Sequence, residues 1–578
     1  MTVKEILETM DYGEAPEGPQ PALDWIASHE GKGGLYIDGA ISKPADRNYF
    51  ETKNPADGKV LASICQAEKQ DVDQAVEAAR RAQSGWEGMG GKQRAKYLYA
   101  LARLIQKHSR LFSVLETLDN GKPIRESRDV DVPLVARHFY YHAGAAQLMD
   151  EEMDECRAIG VAGQVIPWNF PLLMLAWKIA PAIAMGNTVV LKPAEYTSLS
   201  ALLFAEICRE AGLPDGVVNL ITGDGTVGEM IVTHPGVDKV AFTGSTEVGR
   251  KIRQSIAGQG KEITLELGGK SPYLVFDDAD LDSAVEGLVD AIWFNQGQVC
   301  CAGSRLFVQE GVAEAFHAKL KARMDKLRVG DPLDKSIDLG AIVDPRQLES
   351  INALVEEGLK EGGVRHVGAC DLPADGCFYP PTLITEVDPS CRLMQEEIFG
   401  PVLVASTFRT PGEAIALANN TRYGLAASIW TENINLALDL APKIICGVAW
   451  INSTNQFDAS AGFGGRRESG FGREGGWEGL YSYVRHELLS EKKLERILPG
   501  KGESEPAQTG IDRTLKMFIG GKQARPDSGY STPVFSSGGK QLALVGHGNR
   551  KDIRNAVEAA NAARKWGNST AHLRAQIL

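Results

Sequence analysis

The central third of the chain alternates between strand-like apolar runs and longer helix-like stretches. The strand-like runs read GQVIPWNFP, TVVLKPAE, VVNLITG and KVAFTGSTEVG, and the stretches between the first three are apolar or amphipathic. A further strand is predicted where Ile263, Leu265 and Leu267 alternate with polar residues before two glycines. This βαβ rhythm predicts an α/β fold class with a Rossmann-like parallel sheet.

The pattern that opens the chain returns near its end. Residues 35–86 and 517–566 each predict short strands, a Gly-Lys turn and an Ala-rich helix that ends in tryptophan, with a shared AVEAA at Ala75 and Ala556. The alternative is that Ala-rich helices resemble one another by accident. Residues 493–514 are rich in Gly, Pro and charge, which is typical of a linker. We therefore expect a second unit that is cut short, lacks the later motifs and is non-catalytic.

Composition narrows the classes of function. The chain has 578 residues, is 43% hydrophobic and 24% charged, and carries a net charge of −13 with scattered Lys and Arg. This argues against a nucleic-acid or polybasic membrane partner. No apolar run has the length of a membrane span, the N-terminus does not resemble a signal peptide, and nine cysteines do not suggest a disulfide framework. We expect a cytoplasmic protein that acts on a small molecule.

The segment FNQGQVCCAGSR contains the strongest candidate for a nucleophile, Cys300. A thiol attacks as thiolate, so we expect its loop to lower the pKa of Cys300 and a proton acceptor to lie within reach. Glu266, at the end of a predicted strand, fits the acceptor. The alternatives are an inert core cysteine or half of a zinc pair for Cys300, and a solvated surface carboxylate for Glu266. No second Cys/His cluster has ligand spacing, so no metal is expected.

Two glycine-containing turns could cradle a phosphate. Gly223, Gly225 and Gly228 follow the predicted strand 217–222 in GxGxxG spacing, which alone is a weak signal. Gly244 and Ser245 stand at the start of the next predicted helix and form the second candidate.

The segment ELGGKSP (266–272), followed by FNQGQxCxAGSR, resembles the double signature of the aldehyde dehydrogenase superfamily, whose motifs match residues 35 to about 490 in order. The resemblance implies attack of Cys300 on an aldehyde, hydride transfer to NAD⁺, and hydrolysis of the thioester by water that Glu266 activates. It also implies an oxyanion hole made of Asn169 and the backbone N–H of Cys300. Asn169 alone would read equally well as a turn residue.

The resemblance further implies which residues meet the cofactor. Lys192 and Glu195 would contact the adenine-ribose hydroxyls, and a carboxylate there would repel a 2′-phosphate, so NAD is favoured over NADP. A surface ion pair is the alternative for these two. The turn at Gly244 would face the pyrophosphate and ranks above GxGxxG. The full set of expected cofactor residues is Ile166, Trp168, Lys192, Glu195, Gly225, Gly244, Ser245, Glu397 and Phe399.

An aldehyde tunnel and a proton path complete what the resemblance implies. Lys178 and Glu474 match a pair that helps to carry protons in some relatives. The tunnel would suit apolar or aromatic aldehydes, and the alternative is that its aromatic residues are ordinary core. The expected tunnel residues are Phe170, Met174, Trp177, Val299, Cys301, Phe457 and Phe463.

The chain departs from the family pattern between His142 and Ile159, where a paired-strand pattern for the usual oligomerisation hairpin is missing. We expect the second unit to substitute for it, either within the chain or across a homodimer, with the strand-like 483–491 as a possible pairing edge. A complete module followed by a degenerate one resembles family 16 of the superfamily. The expected domains are an N-terminal extension (1–34), an NAD-binding domain (35–141 and 160–267), an oligomerisation element (142–159 and 478–492), a catalytic domain (268–477), a linker (493–514) and the start of a second module (515–578).

Two other functions are weighed against this one. A dehydrogenase that passes the thioester to coenzyme A is disfavoured because Glu266 is present to activate water. A scaffold of tandem modules with weak catalysis is disfavoured because Cys300, Glu266 and Asn169 are all present.

Overall fold

The computed structural model describes residues 15–486, 514–567, 569 and 574. The described residues up to 486 belong to one compact unit, and those from 514 onward belong to another. The predicted linker at 493–514 lies almost entirely outside the described residues. In the part of the chain that the structure describes, no helix is both long enough and apolar enough to cross a bilayer.

The first unit contains an eight-stranded sheet whose five central strands are parallel. Numbered along the chain, those five lie in the order 5-4-1-2-3, which is the Rossmann arrangement that the sequence predicts. The strand order reverses between Val161–Val165 and Lys239–Thr243, and ligands of such sheets bind beyond the carboxyl ends at that point. From edge to edge the strands are Gly470–Phe471, Glu262–Glu266, Lys239–Thr243, Val161–Val165, Thr188–Lys192, Val218–Leu220, Leu35–Ile37 and Ala40–Ser42.

The first unit also contains a seven-stranded sheet. All its strand pairings are parallel except the one between the edge strand Val364–Val367 and its neighbour. Its strands, in spatial order, are Val364–Val367, Thr382–Thr385, Val402–Phe408, Arg305–Gln309, Pro272–Val275, Ala426–Trp430 and Val448–Ile451. The strand that leads into ELGGK, Glu262–Glu266, and the strand that follows it, Pro272–Val275, belong to different sheets. The segment ELGGK therefore crosses from one sheet to the other.

Helices cover both sheets. Pro171–Ala184 is buried along its whole length and apolar apart from Lys178, as expected of a helix inside a large core. The described helices of the first unit are Gln20–Ser28, Lys69–Gly88, Gly91–Lys107, Ser109–Asn120, Ile124–Glu126, Val132–Glu152, Pro171–Ala184, Leu199–Glu210, Gly225–Thr233, Thr246–Ser255, Leu281–Ile292, Glu310–Met324, Pro345–Lys360, Arg392–Gln395, Pro411–Asn419, Ile434–Leu440 and Gly476–Tyr481. Short 3₁₀ or π turns occupy Ser127–Asp131, Phe294–Gly297, Ala441–Lys443 and Arg467–Ser469.

The sheets divide the chain at other points than the predicted domain boundaries. Gly470–Phe471, predicted within the catalytic domain, pairs antiparallel with Leu265 and Glu266 and so joins the Rossmann-like sheet. Lys32–Gly33, predicted within the extension, pairs with Val60–Cys65 in a three-stranded sheet completed by Tyr49–Lys53. The buried side chains of Ala22 and Ile26 anchor the helix before it.

The segment that lacks a strand pattern in the sequence nevertheless contributes a strand. Val132–Glu152 is helical, and Cys156–Ala158 then pairs antiparallel with Val484–His486. The prediction of no paired strand is wrong at these three residues, because the pairing partner is more than 300 positions away and local alternation is too short to show it. The later strand of 483–491 exists over Val484–His486, and 487–491 lie outside the described residues.

The second unit repeats the opening elements of the first. It contains two hairpins followed by a helix, as residues 35–88 do; the elements are Met517–Ile519, Lys522–Ala524, Ser531–Phe535, Gln541–Gly546, Arg550–Ala562 and the 3₁₀ turn Ala563–Trp566. Both helices begin with a capping box, Glu68 with Asp71 and Asn549 with Asp552. Their shared local signals therefore specify the same local structure.

Candidate active site

A cavity of about 500 Å³ opens beyond the carboxyl ends of the central strands, at the point where the strand order reverses. Residues from both sheets line it. The predicted residues that the structure brings together on its wall are Trp168, Asn169, Phe170, Met174, Trp177, Gly244, Ser245, Glu266, Val299, Cys300, Cys301, Glu397, Phe399, Phe457 and Phe463. The alternative of a solvated surface position for Glu266 does not hold, because its side chain is buried.

The loop before Cys300 is held in an unusual backbone conformation. Asn295 and Gln296 have φ angles of 46° and 53°, in the left-handed region that side chains rarely adopt. Buried amides support the turn: Asn295 Nδ2 donates to the carbonyl of Asn169 at 2.8 Å, and Gln296 Nε2 donates to the carbonyl of Ala341 at 2.9 Å. The polar side chains of FNQGQ therefore hold the backbone of the loop that leads to Cys300, and they do not contact solvent.

The two glycines of ELGGK allow other segments to approach closely. A Cβ on Gly269 would lie 2.5 Å from the carbonyl oxygen of Cys300, and a Cβ on Gly268 would lie 2.0 Å from Glu397 Oε2. Glu397 Oε1 accepts a hydrogen bond from the Gly269 N–H at 2.9 Å. Any larger residue at either position would displace a wall of the cavity.

Cys300 is half-buried, and its pKa is raised rather than lowered. The neighbouring thiol of Cys301 is the largest cause, followed by burial and by the charge of Glu397. The expectation that the loop lowers the pKa is therefore wrong. A thiol in this setting requires a base to remove its proton before it can attack.

Glu266 is the carboxylate placed to serve as that base. Burial and then the charge of Glu474 raise its pKa well above the ordinary value, and neither of its oxygens has a hydrogen-bond partner in the described protein. A Cβ on Gly464 would lie 2.8 Å from Glu266 Oε1, so that glycine leaves room for the carboxylate. A desolvated carboxylate with a raised pKa is a stronger proton acceptor than an ordinary surface carboxylate.

Asn169 lies beside the nucleophile at the entrance to the helix Pro171–Ala184. Its side chain is buried, and its Nδ2 donates to the carbonyl of Gln298 at 2.9 Å. That bond fixes the amide and leaves its second N–H for another acceptor. A fixed donor next to a nucleophile is the geometry that stabilises a developing oxyanion.

The candidate cofactor residues fall into two groups. Gly244 and Ser245 lie on the cavity wall at the start of Thr246–Ser255, and the Trp168 and Phe399 rings meet edge to face with centroids 5.2 Å apart. Ile166, Lys192, Glu195 and Gly225 lie off that wall. Gly225 follows the third strand rather than the reversal point, and its helix is capped by the side chain of Asp224.

Lys192 is buried, which distinguishes it from one half of a surface ion pair. Its Nζ donates to the carbonyls of Pro193 and Gly223, each at 2.7 Å, and lies 3.6 Å from Glu195 Oε2. Burial is the first cause of the lowered pKa of Lys192. The two carbonyls use two of its three N–H bonds, and Glu195 is the partner for the third.

Aromatic rings form the inner wall of the proposed tunnel. Trp177, Phe457 and Phe463 contact one another with centroids 5.4 to 6.1 Å apart, and Phe170 stacks on Phe294 at 6.1 Å. Among the described residues on the cavity wall there is no lysine or arginine. The wall therefore favours an apolar substrate body.

Lys178 and Glu474 form an ion pair buried behind Glu266. The remaining oxygen of Glu474 has no hydrogen-bond partner in the described protein. The charge of Glu474 raises, and that of Lys178 lowers, the pKa of Glu266, so the three groups are electrostatically linked.

The sequence analysis overlooked the segment ETLDNGKPIRE, which supports both loops of the site. Asn120 Nδ2 donates to the carbonyl of Trp168 at 2.7 Å, and Glu126 Oε2 accepts from the N–H of Asn295 at 2.9 Å. Lys122 is buried between Glu116 and Asp131, with its Nζ 4.2 Å from the centroid of the Phe170 ring. In sequence these charges resemble a solvated helix end, and nothing local indicates their burial.

Comparison with known proteins agrees with this geometry. A sequence model of the aldehyde dehydrogenase family matches residues 41–488. The chain belongs to the aldehyde dehydrogenase family. An aldehyde dehydrogenase of Agaricus bisporus is 43% identical over 465 residues, covering 78% of this chain and 93% of that one. Human retinal dehydrogenase 2 is 42% identical over 474 residues, covering 79% and 91%.

A solved structure of this family, the NAD⁺ complex of an aldehyde dehydrogenase from Bacillus cereus, matches this aldehyde dehydrogenase with a TM-score of 0.79 and 39% identity, covering 82% of this chain and 98% of that one. The fold expected from the resemblance is confirmed. Among the described residues no group of His, Cys, Asp and Glu is arranged to hold a metal ion.

Proposed function

We propose that this aldehyde dehydrogenase oxidises an aldehyde to a carboxylic acid with NAD⁺ through a covalent intermediate on Cys300. The observation that carries the proposal is the convergence of Cys300, Glu266 and Asn169 on one cavity. Cys300 attacks the aldehyde carbon after its proton has left, and the oxyanion that forms takes the free N–H of Asn169 and the backbone N–H of Cys300. Glu266 then removes a proton from the water that cleaves the thioester.

The residues present fit NAD⁺. The helix start at Gly244 and Ser245 suits a pyrophosphate, and the Lys192–Glu195 pair suits ribose hydroxyls. Glu397, fixed by the N–H of Gly269, suits the second ribose. When bound, NAD⁺ supplies the hydride acceptor. The carboxylate of Glu195 opposes a 2′-phosphate, which favours NAD over NADP.

The Lys178–Glu474 pair would take the proton from Glu266 and return the base to its charged form. All three groups are buried, so the proton would pass between them out of contact with bulk water. The aromatic wall favours an apolar or aromatic aldehyde. Because the nucleophile must remain reduced, we place the reaction in a reducing compartment such as the cytoplasm.

We also propose that residues 515–578 open a second, non-catalytic module, as in family 16, and that this module contributes to a homodimer. The matching order of hairpins, capping box and helix supports the first part. Exposed apolar side chains support the second: Phe518 and Ile553 are 75% and 65% exposed, whereas Tyr36 and Val72 in the matching elements are buried. The predicted domain boundaries stay proposals as well.

The proposed activity is tested by NADH absorbance with a panel of aliphatic and aromatic aldehydes, for the wild type, Cys300→Ala and Glu266→Gln. We expect turnover by the wild type and none by Cys300→Ala. For Glu266→Gln we expect a slowed burst, because Glu266 also takes the proton of Cys300, followed by still slower turnover. Turnover that survives in Cys300→Ala would refute the covalent route. Cofactor binding without turnover by the wild type would favour the scaffold function.

A further inference from the structure

A column of polar residues crosses the Rossmann-like sheet from the active site to its opposite end. The strands Lys239–Thr243 and Glu262–Glu266 are parallel and in register, with Lys239 beside Glu262 and Thr243 beside Glu266. Side chains alternate between faces, so Glu262, Thr264 and Glu266 share one face and Lys239 shares it with them. The hydrogen bond from Lys239 Nζ to Thr264 Oγ1, at 3.3 Å, confirms that orientation.

Lys239 is buried, and no carboxylate among the described residues is its hydrogen-bond partner. Its side chain is 1% exposed, and its Nζ lies 5.0 Å from the centroid of the Tyr483 ring. The charged groups that act on it are Glu474, Lys178 and Glu262. The strand register places Lys239 beside Glu262, and the charges of Glu474 and Lys178 act on it.

The outer end of the column reaches solvent. Glu262 is exposed and lines a surface cavity of about 580 Å³ together with Asp238, Lys261 and Arg485. The inner end is Glu266, on the wall of the active-site cavity. The two cavities lie at opposite ends of the same pair of strands, and Lys239 with Thr264 occupies the space between them.

We propose that Lys239 passes protons from Glu474 to Glu262, so that the proton released during thioester hydrolysis leaves through the far end of the sheet. The inference rests on the proposed function. Water loses one proton to Glu266 as its oxygen bonds to the acyl carbon; the C–S bond breaks, sulfur leaves as the Cys300 thiolate, and the second water proton stays on the carboxylic acid product. The proton then moves from Glu266 to Glu474, to the neutral amine of Lys239, to Glu262 and to bulk water, and the net release is one proton per hydrolysis.

The surroundings of Lys239 suit this role. Burial lowers the pKa of Lys239 to about 7, with Lys178 adding to the shift and Glu474 and Glu262 opposing it. The phenol of Tyr483, whose own pKa is raised by burial, stays neutral beside it. Both forms of the amine are then populated near neutral pH, which an amine that relays protons requires and a permanent cation lacks.

The test measures the decay of the acyl-enzyme directly, by rapid quench and intact-protein mass, in Lys239→Met and Lys239→Arg. Arginine keeps the charge but does not release a proton near neutral pH. We expect an unchanged burst of NADH and thioester hydrolysis that is slower by about tenfold in both variants, below the ~10²–10⁴-fold that a direct general base contributes. The matched control is Lys261→Met, which lines the outer cavity and bonds only backbone carbonyls among its described partners.

Hydrolysis at the wild-type rate in Lys239→Met would overturn the proposal. Slow thioester hydrolysis in Lys239→Met together with hydrolysis at the wild-type rate in Lys239→Arg would also overturn it, because a positive charge at position 239 would then be enough. If Lys239→Met fails to fold, as judged by circular dichroism, Lys239→Arg and Thr264→Val decide, with slowed hydrolysis expected in the arginine variant. Failure of the wild type to oxidise any aldehyde would instead refute the proposed function itself.

Discussion

The close approach of Gly268 to Glu397 leads to a sharp prediction about cofactor binding. A methyl group on Gly268 would lie 2.0 Å from Glu397 Oε2 and 2.7 Å from its carboxyl carbon. The obstructed atoms are the far end of a flexible side chain, so Gly268→Ala should fold and move the carboxylate instead. That movement breaks the 2.9 Å hydrogen bond from the Gly269 N–H and removes the acceptor proposed to hold a ribose of NAD⁺.

The expected weakening of NAD⁺ binding follows from the loss of one hydrogen bond to Glu397. A hydrogen bond to a charged group contributes about 1.5–3 kcal/mol. Burial raises the pKa of Glu397 to about 7, so only part of the population is charged at neutral pH. We therefore take the lower end of the range, about 1.5 kcal/mol, which corresponds to roughly tenfold in Kd.

The assay is titration of the protein with NAD⁺ by isothermal calorimetry, in which Gly268→Ala should bind about tenfold more weakly than wild type. The matched control is Gly311→Ala, because a Cβ on Gly311 meets nothing within 4 Å and that glycine lies off the cavity wall. We expect the control to bind normally. Normal binding by Gly268→Ala, or an equal loss in Gly311→Ala, would refute the placement of the cofactor beside Glu397.

Three other substitutions test separate parts of the site and the core. Asn169→Ala should lower kcat by about 10²–10³-fold with an unchanged Kd for NAD⁺, since an oxyanion donor acts in the transition state; steady-state kinetics with calorimetry checks this, and a pure loss of binding would contradict it. Glu195→Ser should improve kcat/KM for NADP relative to NAD by at least about fivefold, because a carboxylate repels the 2′-phosphate; an unchanged ratio would show that Glu195 does not select the cofactor. Asp119→Asn should flatten the pH dependence of stability. Burial raises the pKa of Asp119 to about 7, so its contribution is complete below its unfolded value and is lost as pH rises through the folded one. Between about pH 5 and pH 8 the free energy of unfolding, measured with urea, should fall by roughly 2–4 kcal/mol more for the wild type than for Asp119→Asn. Parallel plots of that free energy against pH would contradict the ionisation of Asp119 inside the folded protein.

The nucleophile, base and oxyanion residues are readable in sequence because they lie within short contiguous segments whose residue types match the chemistry. The βαβ rhythm likewise predicts the parallel sheet. The pairing of Cys156–Ala158 with Val484–His486 is not predictable in this way, since it joins distant segments that are each too short to show alternation. The same holds for Lys122 and Glu126, whose burial depends on tertiary packing and not on local pattern.

The raised pKa of Cys300 is another property that the sequence does not predict. The sequence shows that Cys301 follows the nucleophile, but whether that neighbour favours or opposes the thiolate depends on how the two thiols face each other. Lys239 is a similar case. A lysine at the start of a predicted strand reads as a surface residue, and only the register of the sheet places it beside Thr264 inside the protein.

The most direct test of the central claim is the intact mass and peptide map of Glu266→Gln after it reacts with NAD⁺ and an aromatic aldehyde. We predict a trapped acyl group, equal to the aldehyde less two hydrogens, on the peptide 294–305 and on Cys300 within it. An acyl group on Cys301, or continued NADH formation with no acyl adduct at any time, would contradict a covalent mechanism through Cys300.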